Sequence, residues 1–331
     1  MKIKDIATLA GVAPSTVSRV INSSGYVSKD VREKVEKIIK ETGYIPDNIA
    51  KSLKTGKTNT IGVILPQISS ETVSKIVEGI TSECKKEGYT VILANTALDI
   101  KDEINYLKIL QTKQVEGLIF MATEITEEHL KVLNELRVPI VITGQYVEGY
   151  TCLIHDDFNA AKDLTNLVLD NNHKKIGLIS INKEDIAVKY KRLEGFLTAI
   201  KERGLKSNID WIEYGDFTIE SGIISMEKIW NMCEEKPTAV IAATDSMAIG
   251  AISYLTDIGV RVPEQCSVVG MGNSKMSKYL KPKLTTVEYY HQLAGEKAAQ
   301  ELFYKIDKKK YNNKKEYIPY KIIERDSITK I

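Results

Sequence analysis

The sequence predicts an all-helical N-terminal segment followed by a larger α/β region, in which two similar lobes each contain a doubly wound parallel sheet. In the N-terminal segment, apolar residues recur at helical spacing between glycine and proline breaks. From residue 60 onward, short continuous apolar runs alternate with amphipathic stretches, as buried parallel strands alternate with helices. The length of 331 residues exceeds what one such sheet needs, because a domain takes ~100–200 residues.

Three helices are predicted in the N-terminal segment, beginning at Ile3, Pro14 and Lys29. Gly11 ends the first helix in a tight turn, because glycine tolerates the positive φ that such a turn requires. Proline is well suited to the first turn of the second helix, where its fixed φ is already helical. Gly43 ends the third helix.

Beyond a linker at residues 55–59, strands and helices alternate. The predicted strands cover residues 61–65, 91–94, 117–121, 139–142, 175–180, 210–214, 239–243, 267–270 and 317–323. The predicted helices cover residues 72–88, 103–113, 127–136, 159–170, 191–203, 221–233, 246–258 and 290–306. The strands are apolar throughout, so we expect helices on both faces of each sheet. No heptad repeat follows residue 323, which predicts no C-terminal coiled coil.

Charge is distributed unevenly along the chain. Residues 1–60 contain 11 Lys and Arg against 6 Asp and Glu, a net charge of +5, whereas the remaining residues contain 35 against 38, a net charge of −3. A basic segment on a slightly acidic body favours a polyanion as the partner of that segment alone.

Several classes of protein are not expected. No apolar run reaches the ~18 residues of a membrane-spanning helix, and no apolar leader is present, so we expect a cytoplasmic, nucleoid-associated protein. The four cysteines are scattered and are interpreted as reduced thiols. Neither metal-ligand spacing nor a catalytic triad or phosphate-loop motif is found, so we expect no metal, no cofactor and no enzyme activity.

The first two helices have the spacing of a helix-turn-helix. Small Ala7 allows the two helices to approach closely, and Val12, Val17 and Val20 would bury the joint between them. The second helix of this motif enters the DNA major groove. Turn-linked helix pairs also occur in many proteins that do not bind DNA, so the spacing leaves both interpretations open.

A set of short segments runs through the whole chain. They are IKDIA (3–7), AGV (10–12), TVSRVIN (16–22), VS (27–28), VREKV (31–35), GYIP (43–46), TDSMAIGA (244–251) and PKLTTV (282–287). Together they resemble the lactose/galactose repressor (LacI/GalR) family of transcription regulators. The resemblance implies a helix-turn-helix DNA-binding head and a periplasmic-binding-protein-like core of two lobes.

The resemblance also implies domain boundaries. The head is expected at residues 1–46, and a hinge helix with a linker at 47–59. The N-terminal lobe of the effector domain is expected to comprise residues 60–158 and 288–316, and the C-terminal lobe residues 159–287 and 317–331.

In the head, the resemblance assigns roles by position. Pro14, Ser15 and Arg19 match base-reading positions, and an arginine can pair bidentately with guanine. Thr16, Asn22 and Tyr44 match positions that contact phosphates. Ala13 departs from the pattern, because the family usually has a serine there that caps the recognition helix.

The segment at residues 47–54 matches the family's hinge helix. Ala50 and Leu53 are implied to lie in the minor groove, with Leu53 levered into the central base step. A helix this short is unstable alone, so a second hinge across a two-fold axis is expected to accompany it. This predicts a homodimer and a palindromic double-stranded operator.

In the core, the resemblance implies a ligand cleft between the lobes. The implied effector-binding residues are Ser69, Ser70, Gln145, Arg192, Phe217, Thr244, Asp245 and Asn273. Arg192 would hydrogen-bond sugar hydroxyls or a phosphate, and Phe217 would form a platform for a sugar face.

The pocket region also suggests the class of effector. Many sugar-binding members carry an acid where this chain has Gly272, and its absence makes the pocket more favourable for an anion. The stretches at residues 272–282 and 149–157 are similar to trehalose repressors of enteric bacteria. We therefore expect a sugar or sugar-phosphate effector, specifically a disaccharide or disaccharide phosphate of the trehalose or sucrose type, that shifts the population of lobe states. An inducer would lower operator affinity and a corepressor would raise it; the sequence does not fix the sign, and the resemblance favours release of the operator.

Two other functions are weighed against this one. Residues 114–121 and 127–129 are similar to catabolite control proteins, which a phosphorylated carrier protein gates. A sugar-processing enzyme is the alternative from another class, and the histidines and carboxylates show no catalytic spacing that favours it.

Overall fold

The computed structural model describes residues 1–21, 24–44, 58–182, 186–206, 211–232, 234–308 and 313–331. Residues 1–58 and 59–331 form separate compact units. The predicted hinge helix with Ala50 and Leu53, and also Asn22, lie outside the described residues.

The first unit contains the three helices that the sequence predicts. They are α1 (Ile3–Ala10), α2 (Pro14–Ile21) and α3 (Lys29–Thr42). Gly11 follows α1 with a φ of 65°, in the left-handed region, and its N–H caps the helix. The small core is formed by Ile6, Ala7, Ala10, Val17, Val20, Val35 and Tyr44. Apolar spacing on each helix therefore produces one shared core, as the helix-turn-helix interpretation requires.

The second unit alternates strands and helices. Its strands are β1 (Thr60–Leu65), β2 (Thr90–Asn95), β3 (Gly117–Met121), β4 (Ile140–Thr143), β5 (Thr151–His155), β6 (Ile176–Ile181), β7 (Ile212–Gly215), β8 (Ala239–Ala242), β9 (Ser267–Met271), β10 (Thr285–Tyr289), β11 (Lys315–Ile318) and β12 (Tyr320–Ile323). Its α-helices are α4 (Glu71–Lys86), α5 (Ile100–Thr112), α6 (Glu127–Glu135), α7 (Asp157–Asp170), α8 (Arg192–Glu202), α9 (Ile219–Met232), α10 (Asp245–Asp257) and α11 (His291–Lys308). A π-helical turn (Ile186–Lys191) leads into α8.

The strands form two six-stranded sheets of matching design. The order is β11-β5-β4-β3-β1-β2 in the first lobe and β12-β10-β9-β8-β6-β7 in the second. All neighbouring strands are parallel except β12, which runs antiparallel to β10. The two sheets confirm the predicted pair of doubly wound lobes.

Helices cover both faces of each sheet. In β1, Ile61, Val63 and Leu65 pack with α4 and α11, while Ile64 on the opposite face joins the core with α5 and α6. The second sheet is arranged likewise, with α7 and α8 on one face and α9 and α10 on the other. Burial of both faces explains why the strands are continuously apolar.

The structure corrects the strand assignment at the lobe crossings. Strands β5 and β10 were not among the predicted strands, and the single strand predicted at residues 317–323 is two strands that Pro319 separates. Because β10 lies wholly in the second sheet and β11 wholly in the first, the expected boundaries at 287/288 and 316/317 cut through strands. The chain crosses between the lobes at Asp156, Tyr290 and Pro319.

No helix within the described part of the chain is long and apolar enough to span a membrane.

Candidate functional site: an exposed helix face and a cleft between two lobes

The exposed face of α2 carries the residues predicted to read bases. Val17 and Val20 are buried in the core of the head, whereas Pro14, Ser15 and Arg19 are exposed. The helical repeat of 3.6 residues places these exposed side chains on one side of the helix. Thr16 is half-buried at the edge of that face.

Ala13 precedes α2 and accepts hydrogen bonds from the first turn of this helix only through its backbone carbonyl, because alanine has no side-chain acceptor. Its oxygen accepts the N–H of Thr16 at 2.9 Å and that of Val17 at 3.3 Å. Pro14 needs no partner for its nitrogen, so it reduces the number of unsatisfied groups at this helix end.

Arg19 and Tyr44 have different surroundings. A Cβ atom placed on Gly25 would lie 3.6 Å from Cδ of Arg19, so the arginine stem lies beside the loop that follows α2. Tyr44, which was predicted to contact phosphate, is only 8% exposed and belongs to the core of the head. Its ring therefore contributes to packing.

The second unit has a cleft of about 660 Å³ between the carboxyl ends of its two sheets. Helices α4, α7, α8, α10 and α11 all begin with residues that line it. This arrangement follows from the fold, because in parallel sheets the residues after each strand lead into a helix at one edge. The cleft therefore receives several helix N-termini, which favour negative charge.

Six of the predicted effector residues line this cleft. They are Ser69, Ser70, Arg192, Phe217, Thr244 and Asp245. Two of them also cap helices, since the Ser70 hydroxyl accepts the N–H of Val73 and the Thr244 hydroxyl that of Met247.

Arg192 is held by a buried ion pair. Its Nε donates to Oδ1 of Asp157 at 2.7 Å, and another guanidinium nitrogen donates to the carbonyl of Ala243. The hydroxyl of Tyr289 donates to the same Asp157 oxygen at 3.0 Å, and the guanidinium carbon lies 5.1 Å from the centre of the Tyr289 ring. The arginine is thus fixed in position before any ligand binds.

Phe217 adopts a strained backbone conformation at the edge of the cleft. Its φ is 77°, in the left-handed region that a bulky side chain rarely occupies. Its ring packs partly against the core of the second lobe. Strain of this kind is retained mainly where ligands bind, which favours the predicted platform.

Asp245 is a buried carboxylate with both oxygens occupied. It accepts hydrogen bonds from the Thr286 hydroxyl and from the backbone N–H of Ser274, at 2.7 Å for the latter. Burial raises its pKa, and these hydrogen bonds oppose that effect. The loop after β9, including Gly272, is therefore tied to the start of α10.

Gln145 and Asn273 do not line the cleft. The side chain of Gln145, 4% exposed, donates to the carbonyl of Thr123. Asn273, 6% exposed, bonds to Glu288 and Arg325 behind the cleft. Their positions next to strand ends correctly indicated that they lie near the cleft. Their side chains, however, form hydrogen bonds with other protein groups and do not face the ligand space.

Two cleft residues that the sequence did not single out are His155, at the end of β5, and His291, at the start of α11. Nε2 of His155 lies 3.0 Å from Nδ1 of His291. Burial lowers the pKa of His155 to about 4 and lowers the pKa of His291 well below its usual value. Recognition of β5 as a strand would have placed His155 at a carboxyl end and made it a candidate.

Comparison with known proteins agrees with this architecture. The sequence profile of the bacterial regulatory proteins of the lacI family matches residues 2–47, and that of the periplasmic binding protein-like domain matches residues 165–328. The HTH-type transcriptional repressor PurR of Vibrio vulnificus (strain CMCP6) is 33% identical over 332 residues, covering 99% of both chains. The chain belongs to the lacI family.

Solved structures of the family extend the comparison. A complex of the transcriptional regulator CelR with cellobiose has a TM-score of 0.75 at 26% identity, and covers 99% of both chains. The lac repressor dimer bound to operator and the anti-inducer ONPF has a TM-score of 0.89 at 24% identity, with the same coverage.

Membership of the lacI family decides the class of function. The protein is a DNA-binding transcriptional repressor, and the enzyme interpretation is excluded because these relatives are regulators. Among the described residues, no group of three or more His, Cys, Asp or Glu side chains is arranged to hold a metal ion.

Proposed function

We propose that the protein is a homodimeric repressor of a sugar-utilisation operon and that a disaccharide or disaccharide phosphate, of the trehalose or sucrose type, releases it from a palindromic operator. The observation that carries this proposal is the cleft between the lobes, with its fixed Arg192 and strained Phe217.

The size and lining of the cleft suit a disaccharide. Its volume of about 660 Å³ is within the ~300–1,000 Å³ range of small-molecule sites. An aromatic ring can pack against the apolar face of a sugar, while the guanidinium of Arg192 and the hydroxyls of Ser69 and Thr244 can bond its hydroxyl groups. Polar groups that are few and fixed provide specificity at low entropic cost.

The electrostatics of the cleft favour an effector with some negative charge. Several helices begin at its lining residues, and each N-terminus carries a partial positive charge. Lys75 also lines the cleft. Among the described residues, four carboxylates line the cleft. Glu71 and Asp157 pair with Lys75 and Arg192, respectively, and Asp216 and Asp245 accept hydrogen bonds from protein groups, so the helix termini are the groups that would attract a phosphate.

The solved complex of CelR with cellobiose supports a disaccharide as well. That regulator and this chain share the fold over nearly their whole length. Similarity at this level does not select one disaccharide, which is why the effector is tested with a panel.

The mechanism that we propose is a population shift. An effector that binds one lobe arrangement more tightly than the other shifts the equilibrium towards it. In a dimer, this change separates the two hinge helices and withdraws Leu53 from the minor groove. The affinity for the effector and the affinity for the operator are thermodynamically linked. An effector that weakens operator binding must therefore bind more weakly to the operator-bound protein.

A thermal-shift panel tests the effector class. Purified full-length protein is heated with trehalose, trehalose 6-phosphate, sucrose or sucrose 6-phosphate, with hypoxanthine and guanine as ligands of a different class. A ligand at ~100 times its Kd stabilises the folded protein by ~2.7 kcal/mol. A rise in the melting temperature with a disaccharide supports the proposal, and a rise only with a purine base contradicts it.

Operator release is measured next. A DNA fragment obtained by selection from random duplexes is titrated with protein, and the compound that raises the melting temperature should weaken binding. If no sugar acts and a serine-phosphorylated carrier protein co-purifies with the repressor, the catabolite-control alternative replaces the proposal.

A further inference from the structure

Two histidines connect the chain crossings that join the lobes. His155 ends β5 immediately before the first crossing, and His291 begins α11 immediately after the second. Their rings meet edge to face, with centres 4.7 Å apart. Nε2 of His155 lies 3.0 Å from Nδ1 of His291, whose Nε2 lies 3.5 Å from the Thr72 hydroxyl on α4.

The remaining nitrogen of His155 has no partner. Its Nδ1 atom is inaccessible to solvent and makes no hydrogen bond among the described residues. Four other buried side-chain atoms in the described residues make no hydrogen bond: those of Thr151, Ser180 and Trp211 lie away from the cleft, whereas Oε1 of Glu71 belongs to a cleft residue but forms an ion pair with Lys75 at 2.9 Å. A buried polar atom without a partner costs free energy. Because His155 lines the cleft, an effector that displaces the groups now covering Nδ1 would gain a hydrogen bond with it.

Both rings are neutral near pH 7. Burial lowers the pKa of His155 to about 4, and Arg192 adds to this effect while Asp157 opposes it. Burial also lowers the pKa of His291, and His155, Lys75 and Arg192 lower it further. A neutral imidazole has one donor and one acceptor nitrogen.

Neutrality gives the pair two hydrogen-bond arrangements. If His291 Nδ1 donates to His155 Nε2, then Nδ1 of His155 carries the proton and can donate. If the shared proton sits on His155 Nε2 instead, Nδ1 accepts. A hydroxyl group both donates and accepts, so it can satisfy either arrangement.

We propose that Nδ1 of His155 hydrogen-bonds a hydroxyl group of the effector and that the contact makes His155 a specificity-determining residue. This inference rests on the proposed function, since it names the atom that recognises the sugar. The bond also ties the effector to both interlobe crossings, because His291 holds the other side of the imidazole ring.

Two variants distinguish the roles of Nδ1 and Nε2 of His155. In His155→Asn, the short amide group lies near the position of Nδ1, whereas in His155→Gln the longer amide lies near the position of Nε2. His155→Gln therefore retains a contact with His291 but loses the effector bond. His155→Asn retains a group for the effector and loses the contact with His291.

Binding is measured by isothermal titration calorimetry on the full chain with trehalose, sucrose and their 6-phosphates. We expect His155→Gln to weaken binding by about tenfold or more, and His155→Asn to restore most of the affinity. In the wild type, the Nδ1 resonance of His155 should move when the effector saturates the protein. Operator affinity without effector should remain measurable in both variants and reports an intact fold.

The outcomes separate the inference from the proposed function. If the wild type binds a sugar and His155→Gln binds it equally well, the inference is wrong and the function stands. Equal weakening in both variants, with no movement of the Nδ1 resonance, shows a structural role and also overturns the inference. If no sugar binds to the wild type, the proposed effector class fails and the inference fails with it.

Discussion

Glu71 on α4 accepts a hydrogen bond from the backbone N–H of Lys275 at 3.2 Å, although 204 residues separate them in the sequence. Glu71 belongs to the first lobe, and Lys275 follows β9 in the second. The same carboxylate pairs with Lys75 at 2.9 Å. This contact joins a residue of the first lobe to one of the second, and both Glu71 and the neighbouring Ser274 line the cleft.

Removal of the bridge should loosen the lobes. We expect Glu71→Ala to lower the free energy of unfolding by about 1 kcal/mol, because the lost bond is charged but partly exposed. Small-angle scattering of the effector-free protein should show a larger radius of gyration. Glu71→Gln is the matched control, since its amide oxygen can still accept from Lys275. If the alanine and glutamine variants scatter identically, the contact does not hold the lobes.

The bridge should also depend on pH. Burial opposes ionisation of Glu71, but hydrogen bonds from Lys75 and the Lys275 amide outweigh it and hold its pKa below the usual value of 4.5. A lowered pKa stabilises the folded protein above the unfolded-state value, and this stability is lost as the pH falls through the folded-state pKa. The difference in unfolding free energy between wild type and Glu71→Gln should therefore shrink below about pH 4.5. A difference that stays constant from pH 7 to pH 4 would contradict this assignment.

Replacement of Arg192 should lower the free energy of unfolding substantially, although the residue lines a cleft. The side chains of Arg192 and Asp157 are 12% and 6% exposed, so Arg192→Met leaves a buried carboxylate without its partner. We expect a loss of about 3 kcal/mol or more in urea unfolding, and partial recovery when Asp157→Asn is added. Arg203→Met, which disrupts an exposed pair with Asp170, should change stability by less than about 1 kcal/mol. Failure of the second change to recover any stability would indicate that packing, and not charge, dominates.

Phe217 offers a test of backbone strain. Phe217→Ala and Phe217→Gly both remove the ring, but only glycine relaxes the φ of 77°. We expect the glycine variant to be more stable than the alanine variant by about 0.5–1 kcal/mol in chemical denaturation. Both should bind the effector more weakly than the wild type. Greater stability of the alanine variant would show that the conformation is not strained.

Arg19 should decide sequence-specific binding. We expect Arg19→Ala to weaken binding to the selected operator by about 1–3 kcal/mol, with a smaller effect on unrelated duplexes, because a bidentate contact to guanine discriminates between bases. Fluorescence anisotropy with the operator and with an unrelated duplex measures the ratio of the two dissociation constants. Lys37→Ala is the control, since Lys37 is an exposed residue of α3 that pairs with Glu41. Equal weakening on both DNAs would make Arg19 a phosphate contact.

Local sequence signals predicted many of the elements well. Pro14 and Lys29 begin helices as expected, and Gly43 follows the end of α3. These helix ends were predictable because they depend on residues that are neighbours in the sequence. Strand β5 escaped prediction because it is short and contains cysteine and histidine at Cys152 and His155. Its identity as a strand comes from its neighbours β4 and β11, which are distant in the sequence.

Some residues of the cleft could be predicted from the sequence, whereas their contacts could not. The family resemblance predicted Arg192 and Phe217 as effector residues, and both line the cleft. Nothing in the sequence near Arg192 indicated Asp157 as its partner, 35 residues away. Gln145 and Asn273 were predicted from equivalent signals, and only the direction of their side chains excludes them.

The sequence by itself determined the helical head, the alternation of strands and helices, and the family, because these depend on spacing and on short motifs. The tertiary structure alone decided which polar groups are paired and which are not. It joined His155 to His291 across 136 residues and left Nδ1 of His155 without a partner. The reason is physical: desolvation and hydrogen bonding depend on distances in space, and two residues far apart in the chain become neighbours only when the lobes have folded.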